Sequence, residues 1–261
     1  MAMGKPPFPT PDTLCAPPSW RCIDFISDLH LHEGLPRTTQ ALSSYLRTTT
    51  ADAVLVLGDI FEAWVGDDMR TQPYEAECVR LFAETGSRLH LSMMVGNRDF
   101  LLGTEMLKAC HAHQLADPTV LSAWGQSVLL THGDALCLDD SAYLRFRAQV
   151  RQASWQQAFL NSPLDARLAQ ARQMREASQA HQQGQSEMTW ADVDEGAAGE
   201  WMVSAGVQQL IHGHTHRPGD QAFGVPGGMR HVLSDWDLDH ASPRAEVLRW
   251  TPDGFTRIPL N

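Results

Sequence analysis

Five short segments of this chain carry side chains that bind metal ions: Asp28-x-His30, Gly58-Asp59, Gly96-Asn97-Arg98-Asp99, His132-Gly133-Asp134 and His212-Gly213-His214-Thr215-His216. Carboxylate oxygens, imidazole nitrogens and an amide oxygen form the mixed donor set that suits Mn²⁺, Fe²⁺ or Zn²⁺. Each segment alone has an ordinary reading. An aspartate after a strand caps helices, a lone histidine packs, and glycines serve turns. Five such clusters in order along one chain point instead to a common site.

The donors set the chemistry such a site could do: a divalent cation held there acts as a Lewis acid and lowers the pKa of bound water toward neutrality. The Asp-x-His and His214-x-His216 spacings put both members of each pair on one side of an extended strand end. Asp99 and Asp134 either orient the ligands or serve as turn residues.

The elements that must position these groups are legible as short apolar runs. CIDFIS leads into DLHLHEG, AVLVL into GDIFEAW, HLSMMV into GNRDF, SVLLT into HGD, and VQQLI into HGHTHRP. Such runs read as buried strands, and the stretches Thr38–Thr50 and Pro73–Glu84 between them read as helices. The alternation predicts a layered α/β fold, whose ligand crevice lies beyond the carboxyl ends of the strands. RHVLSDW, AEVLRW and FTRIPL, around Pro252-Asp253-Gly254, predict antiparallel strands at the C-terminus.

Residues 141–206 differ in character. Tyr143, Phe146 and Val150 share a helical face, Ser162-Pro163 starts a second helix bearing Leu164, Leu168 and Ala171, and a third runs through Trp201 to Gly206. Six arginines (145, 147, 151, 167, 172 and 175) stand between Ser141 and Gln185 against Asp165 and Glu176, in a chain of net charge −11. The expected organisation is a flexible lead-in at 1–20, a core of 21–140 and 207–261, and a helical cap inserted at 141–206.

The acidic balance argues against a general nucleic-acid binder, and the basic island marks a place for an anionic ligand. Five cysteines at irregular spacing fit reduced thiols. No apolar run reaches the ~20 residues that span a bilayer, and the proline-rich start has no signal-peptide core. A cytoplasmic protein is expected, with no obligate protein partner evident.

The ordered series DLHL, GDIFE, GNRD, HGD and GHTH resembles the calcineurin-like metallophosphoesterases over about Asp24 to Trp236. The resemblance implies a four-layer αββα sandwich with a di-metal centre. It implies Asp28, His30 and His216 on one ion, Asn97, His132 and His214 on the second, and Asp59 bridging them. Arg98 stands where many members carry histidine after the asparagine. Guanidinium stays protonated and supplies charge rather than a proton, which suits a phosphate leaving group.

The longer strings GDIFEAWVGDD, GNRDFLLG, THGDALCLDD and IHGHTHRP are similar to the branch that cleaves UDP-2,3-diacylglucosamine in lipid A biosynthesis. That similarity implies attack on the α phosphorus with two Mn²⁺ bound, release of UMP and 2,3-diacylglucosamine 1-phosphate, and peripheral attachment at the cytoplasmic face of the inner membrane. Catalytic roles fall to Arg98, Asp59 and Asn97. Substrate contacts fall to Asn97, Arg98, Asp140, Arg175, Ser178, Gln182, Gln185 and His214. Gln185 replaces a lysine common in the branch, and Gln182 an asparagine. Leu144, Phe146, Trp155, Phe159, Leu164 and Met174 either line an acyl groove or pack the cap on the core. The alternatives are a phosphodiesterase acting on a soluble nucleotide and an inactive scaffold of the same fold.

Overall fold

The computed structural model describes residues 8–183 and 192–260, with backbone only for 176–183. All five apolar runs that precede the polar clusters form strands. They are β2 (Ile23–Ile26), β3 (Ala53–Leu57), β4 (His90–Met94), β7 (Gln126–Thr131) and β8 (Gln209–His212). The two expected helices are α1 (Pro36–Thr48) and α2 (Pro73–Gly86), each with proline in its first turn, where no backbone donor is lost, and a short α3 (Thr104–Ala109) follows β4.

Two six-stranded sheets result. One has the order β12-β11-β2-β3-β4-β5, with β5 at His113–Gln114, β11 at Glu246–Thr251 and β12 at Gly254–Pro259. The other runs β1-β6-β7-β8-β10-β9, with β1 at Asp12–Cys15, β6 at Thr119–Ala123, β9 at Gly219–Ala222 and β10 at Met229–Val232. Strands β2, β3 and β4 are mutually parallel, as are β7 and β8, so their carboxyl ends open to one side.

Strand alternation builds the layers. In β3, Ala53, Leu55 and Leu57 join the core between the sheets, with Phe25, Val128, Leu130, Ile211 and Trp250. Val54 and Val56 face the other way and pack under Leu42 and Leu46 of α1 and Leu81 and Phe82 of α2. On the second sheet, Leu129 and Leu210 face outward to Ala198, Trp201 and Met202 of α7 (Glu195–Ala205). Helices, sheet, sheet and helix make the expected αββα sandwich.

Three expectations need correction. Within the supposed lead-in, β1 pairs in parallel with β6, and Phe8 lies against Trp201, because that sheet edge offers backbone partners and an apolar face. Helix α7, read as part of the cap, is an outer layer of the sandwich. Its low-polarity sequence GAAGEWMVSA buries against β7 and β8 and ends at Gly206, whose φ of 67° closes the helix. Among the C-terminal strands, β11 and β12 form the antiparallel hairpin, while β10 is antiparallel to β9 on one side and parallel to β8 on the other.

The remaining helices among the described residues of 141–206 are α4 (Ser141–Val150), α5 (Ala153–Leu160) and α6 (Leu164–Gln183). Phe159 is buried in the α1–α2 core cluster, and Trp155, Leu164, Leu168 and Ala171 pack against it. Arg167, 3% exposed, donates to the Val65 carbonyl and to Asp68, tying α6 to the loop after β3. Three of the six groove candidates, Trp155, Phe159 and Leu164, therefore contribute to packing, the second of the two readings. Among the described residues no helix is long and apolar enough to cross a membrane.

Candidate metal centre

The five polar clusters leave the carboxyl ends of β2, β3, β4, β7 and β8 and meet in one place. They reach it through sharp turns. Asp28, His30, Asp59, His214 and His216 all have φ between 45° and 66°, in the left-handed region. Among the described residues only His111 and Trp124 share that conformation without being glycine. Such backbone costs on the order of 1–3 kcal/mol per residue and persists where surrounding structure imposes it. The Asp-x-His pair therefore converges through left-handed turns, not through the extended geometry inferred from spacing.

Backbone pairing holds these turns in register. The amides of Asp28, His30 and Leu31 donate to the carbonyls of Gly58, Asp59 and Ile60 at 3.1, 3.0 and 2.9 Å. Gly96 is required by closeness: a Cβ there would stand 2.5 Å from the Asp59 amide nitrogen and 2.8 Å from its carboxyl carbon. Buried Asp99 accepts from the amides of Gly96 and Ile60, both at 2.7 Å, and so joins the two loops that carry Asn97 and Asp59.

Two groups of donor atoms emerge. Asp28, His30 and His216 offer atoms within 4.8 Å of one another, and Asp59, His132 and His214 do the same. In the first, the Nε2 atoms of His30 and His216 are 3.2 Å apart, and His216 Nε2 is 3.5 Å from Asp28 Oδ1. In the second, Asn97 Oδ1 lies 3.0 Å from His132 Nε2 and 2.9 Å from His214 Nδ1. Asp59 stands between the groups, with Oδ2 4.0 Å from His30 Nε2 and Oδ1 3.6 Å from His132 Nε2. His132 Nδ1 lies 2.9 Å from the Leu57 carbonyl, which accepts a hydrogen bond from it, and Nε2 faces the centre.

These residues fit a pair of divalent cations. Oxygen and imidazole donors converge from two sides, and Asp28 and Asp59 are buried, a costly placement for carboxylates without positive charge nearby. The electrostatics agree. Burial lowers His132, but the charges of Asp59, Asp28 and Asp134 prevail and push it up to about 9. Burial would raise Asp28, yet hydrogen bonding and charge from His216, then His132 and His30, hold it well below the usual carboxylate range. For Asp99, burial and then the charge of Asp59 lift the carboxyl to about 6.

Around the centre stand further groups, of which Glu62, Tyr143, Arg147 and Arg151 have no assigned role at the site in the sequence reading. Glu62 lies 3.2 Å from His30 Nδ1, 2.9 Å from Arg175 Nε and 3.8 Å from Arg98 Nη1. Burial would raise its carboxyl, but His30, Arg98 and Arg175 outweigh that and lower it. Asp134 accepts from Tyr143 Oη and from Arg147 Nε at 2.8 Å, and Tyr143 stacks on His214 with ring centroids 6.1 Å apart. Arg151 donates to the Gly96 carbonyl at 2.8 Å. The one signal for Glu62 was its place three residues after Asp59 in GDIFE; the partners of Tyr143, Arg147 and Arg151 depend on how α4 docks.

The expected substrate contacts divide. Asn97 and His214 sit in the centre, and Arg98 and Arg175 meet at Glu62. Asp140 caps α4, accepting from the Tyr143 amide at 2.8 Å. Gln185 and the side chains of Ser178 and Gln182 lie outside the described residues. His212, the first histidine of the last cluster, is fully buried, with Nδ1 2.8 Å from the Gly213 carbonyl.

The profile of the calcineurin-like phosphoesterase family matches residues 23–218. A UDP-2,3-diacylglucosamine hydrolase from Ralstonia nicotianae is 43% identical over 251 residues, covering 91% of this chain and 92% of its own. Proteins of the same name from Bordetella pertussis and Stenotrophomonas maltophilia are 43% and 42% identical, over 83% and 89% of this chain and 86% and 98% of theirs.

Proposed function

The chain belongs to the calcineurin-like phosphoesterase family, and we propose that it hydrolyses the pyrophosphate bond of UDP-2,3-diacylglucosamine to UMP and 2,3-diacylglucosamine 1-phosphate. The observation that carries the reading is the pair of adjoining donor groups, Asp28/His30/His216 and Asp59/His132/His214. The relatives named for that substrate supply its identity.

In this reading Asp28, His30 and His216 hold one Mn²⁺, Asn97, His132 and His214 hold the other, and Asp59 serves both. When bound, the ions supply Lewis acidity toward the phosphate oxygens and lower the pKa of water. The chain's own residues do the rest. Backbone amides of His214 and Arg98 hold the carboxylates of Asp28 and Asp59, at 3.0 and 2.8 Å, so that these do not swing as charge shifts. Arg98 contributes a permanent positive charge to the pyrophosphate. It need not deliver a proton, because the departing sugar phosphate leaves as an anion.

Helices α4–α6 form the cap in this reading. Arg175 and Asp140 bind the substrate together with Ser178, Gln182 and Gln185, and the exposed Arg145 and Arg172 meet an anionic membrane surface where the lipid resides. Asp140 already uses one carboxylate oxygen as a helix cap, which leaves the other for substrate.

The deciding experiment supplies UDP-2,3-diacylglucosamine to metal-stripped protein with and without Mn²⁺ and scores UMP. Mn²⁺-dependent UMP is the expected result. Cleavage of a soluble phosphodiester without UMP from the lipid would keep the family chemistry and discard this substrate.

A further inference from the structure

Glu62 is placed by the same backbone pairing that places His30. Its amide donates to the Leu31 carbonyl at 3.2 Å, and Phe61 bridges Leu31 in parallel, so the residue after His30 and the residue before Glu62 are locked side by side. The Glu62 side chain is 12% exposed. One carboxylate oxygen lies at ion-pair distance, 3.2 Å, from His30 Nδ1, a buried nitrogen that completes no hydrogen bond, and the other lies 2.9 Å from Arg175 Nε on α6.

We infer that Glu62 is a positioning residue that presets His30 for its metal ion and, through Arg175, fastens helix α6 to the same carboxylate. The inference rests on the two-ion reading above. A neutral imidazole carries one N–H, and its acceptor decides which nitrogen bears it. With Glu62 beside Nδ1, the proton sits there, and Nε2 presents a lone pair toward Asp28 and His216. A carboxylate has lone pairs enough for the histidine and both arginines, Arg98 being 3.8 Å away. Glutamine at this place has one acceptor oxygen and no charge, so it cannot serve His30 and Arg175 equally.

The test is Mn²⁺ titration of metal-stripped protein, with free Mn²⁺ read by electron paramagnetic resonance, beside ¹⁵N NMR of the His30 ring in the metal-free chain. Glu62→Gln and Glu62→Ala are expected to weaken one of two Mn²⁺ by roughly 10- to 100-fold and leave the other within about twofold. The His30 ring should pass from the Nδ1–H form to a mixture of tautomers in Glu62→Ala. Arg175→Met, which cuts the tie between α6 and Glu62 without touching His30, is expected to bind both ions as the parent does. A Glu62→Gln chain with parental affinity at both sites overturns the assignment, and so does an equal loss in Arg175→Met. If Glu62→Ala does not fold, Glu62→Gln decides. A parent chain that takes up no Mn²⁺ would sink the two-ion reading itself; two ions with an unaltered Glu62→Gln would sink only the role of Glu62.

Discussion

His30 Nε2 and His216 Nε2 stand 3.2 Å apart although 186 residues separate them in the chain. Both belong to left-handed turns, and each has a carboxylate near its other ring nitrogen. For His30 that is Glu62, at 3.2 Å, and for His216 it is Asp235, at 3.6 Å. With Nδ1 turned toward those carboxylates, both Nε2 atoms face the side where Asp28 lies, as two ligands of one cation would.

Mn²⁺ is therefore expected to stabilise the fold. At a free concentration 100-fold above Kd, one site adds about 2.7 kcal/mol. Thermal unfolding with and without Mn²⁺ should show a rise of several degrees. Asp59→Ala, which strips the carboxylate lying between the groups, should lose most of that rise together with all turnover. An undiminished rise in the variant would remove Asp59 from metal binding.

Arg98→Ala should lower kcat by about 10²-fold if the guanidinium stabilises transition-state charge. The Arg98 amide, not its side chain, holds Asp59, so the fold should survive. Steady-state kinetics with Mn²⁺ saturating reads the result. An unchanged kcat would assign the side chain to its ion pair with Glu62.

Gly96→Ala tests the closeness of two loops. The added methyl meets the Asp59 carboxyl group and amide, so either the GNRD loop or Asp59 must move. Metal content after dialysis should fall by at least half, with a loss of about 1–3 kcal/mol in stability from overpacking. Full retention of metal would show that the loops have slack.

Away from the centre, Arg249 of β11 makes a bidentate pair with fully buried Asp24 of β2, at 2.8 and 2.9 Å, beside Tyr45 and Thr49. Arg249→Met leaves that carboxylate uncompensated and should cost about 3 kcal/mol in urea unfolding. Adding Asp24→Asn should recover part of the loss. A cost below about 1 kcal/mol would mean that the pair contributes little.

His90 supplies a pH dependence. Burial, and then the charge of His113 stacked 4.6 Å away, depress it to about 4. The unfolded chain, with an ordinary histidine near 6.5, takes up the proton first as pH falls. Stability from this group is full above about pH 6.5 and is lost between there and about pH 4. Because His90 is only half-buried, about 1 kcal/mol of the loss between pH 7.5 and 5 is assigned to it. His90→Phe should flatten the slope of urea-unfolding free energy against pH by that amount, and an unchanged slope would refute it.

Strands and ligand clusters were legible because both are local. A run such as AVLVL followed by Gly-Asp needs no knowledge of its neighbours to read as a buried strand ending in a polar turn. The edge strand Asp12–Cys15 was not legible, since DTLC has no apolar pattern and depends on β6 for its hydrogen bonds. Helix α7 was assigned to the cap because its sequence says only that it is helical and apolar, not which sheet it covers.

The chain by itself determined the layered α/β class and the donor types gathered beyond its strands, because alternation and residue chemistry are written in neighbouring positions. Tertiary structure alone decided the left-handed turns that aim Asp28, His30 and His216 at one another, and the carboxylate of Glu62 between His30 and Arg175. Those relations join segments far apart in sequence, and their geometry is set by strand register and helix docking, which no local pattern encodes.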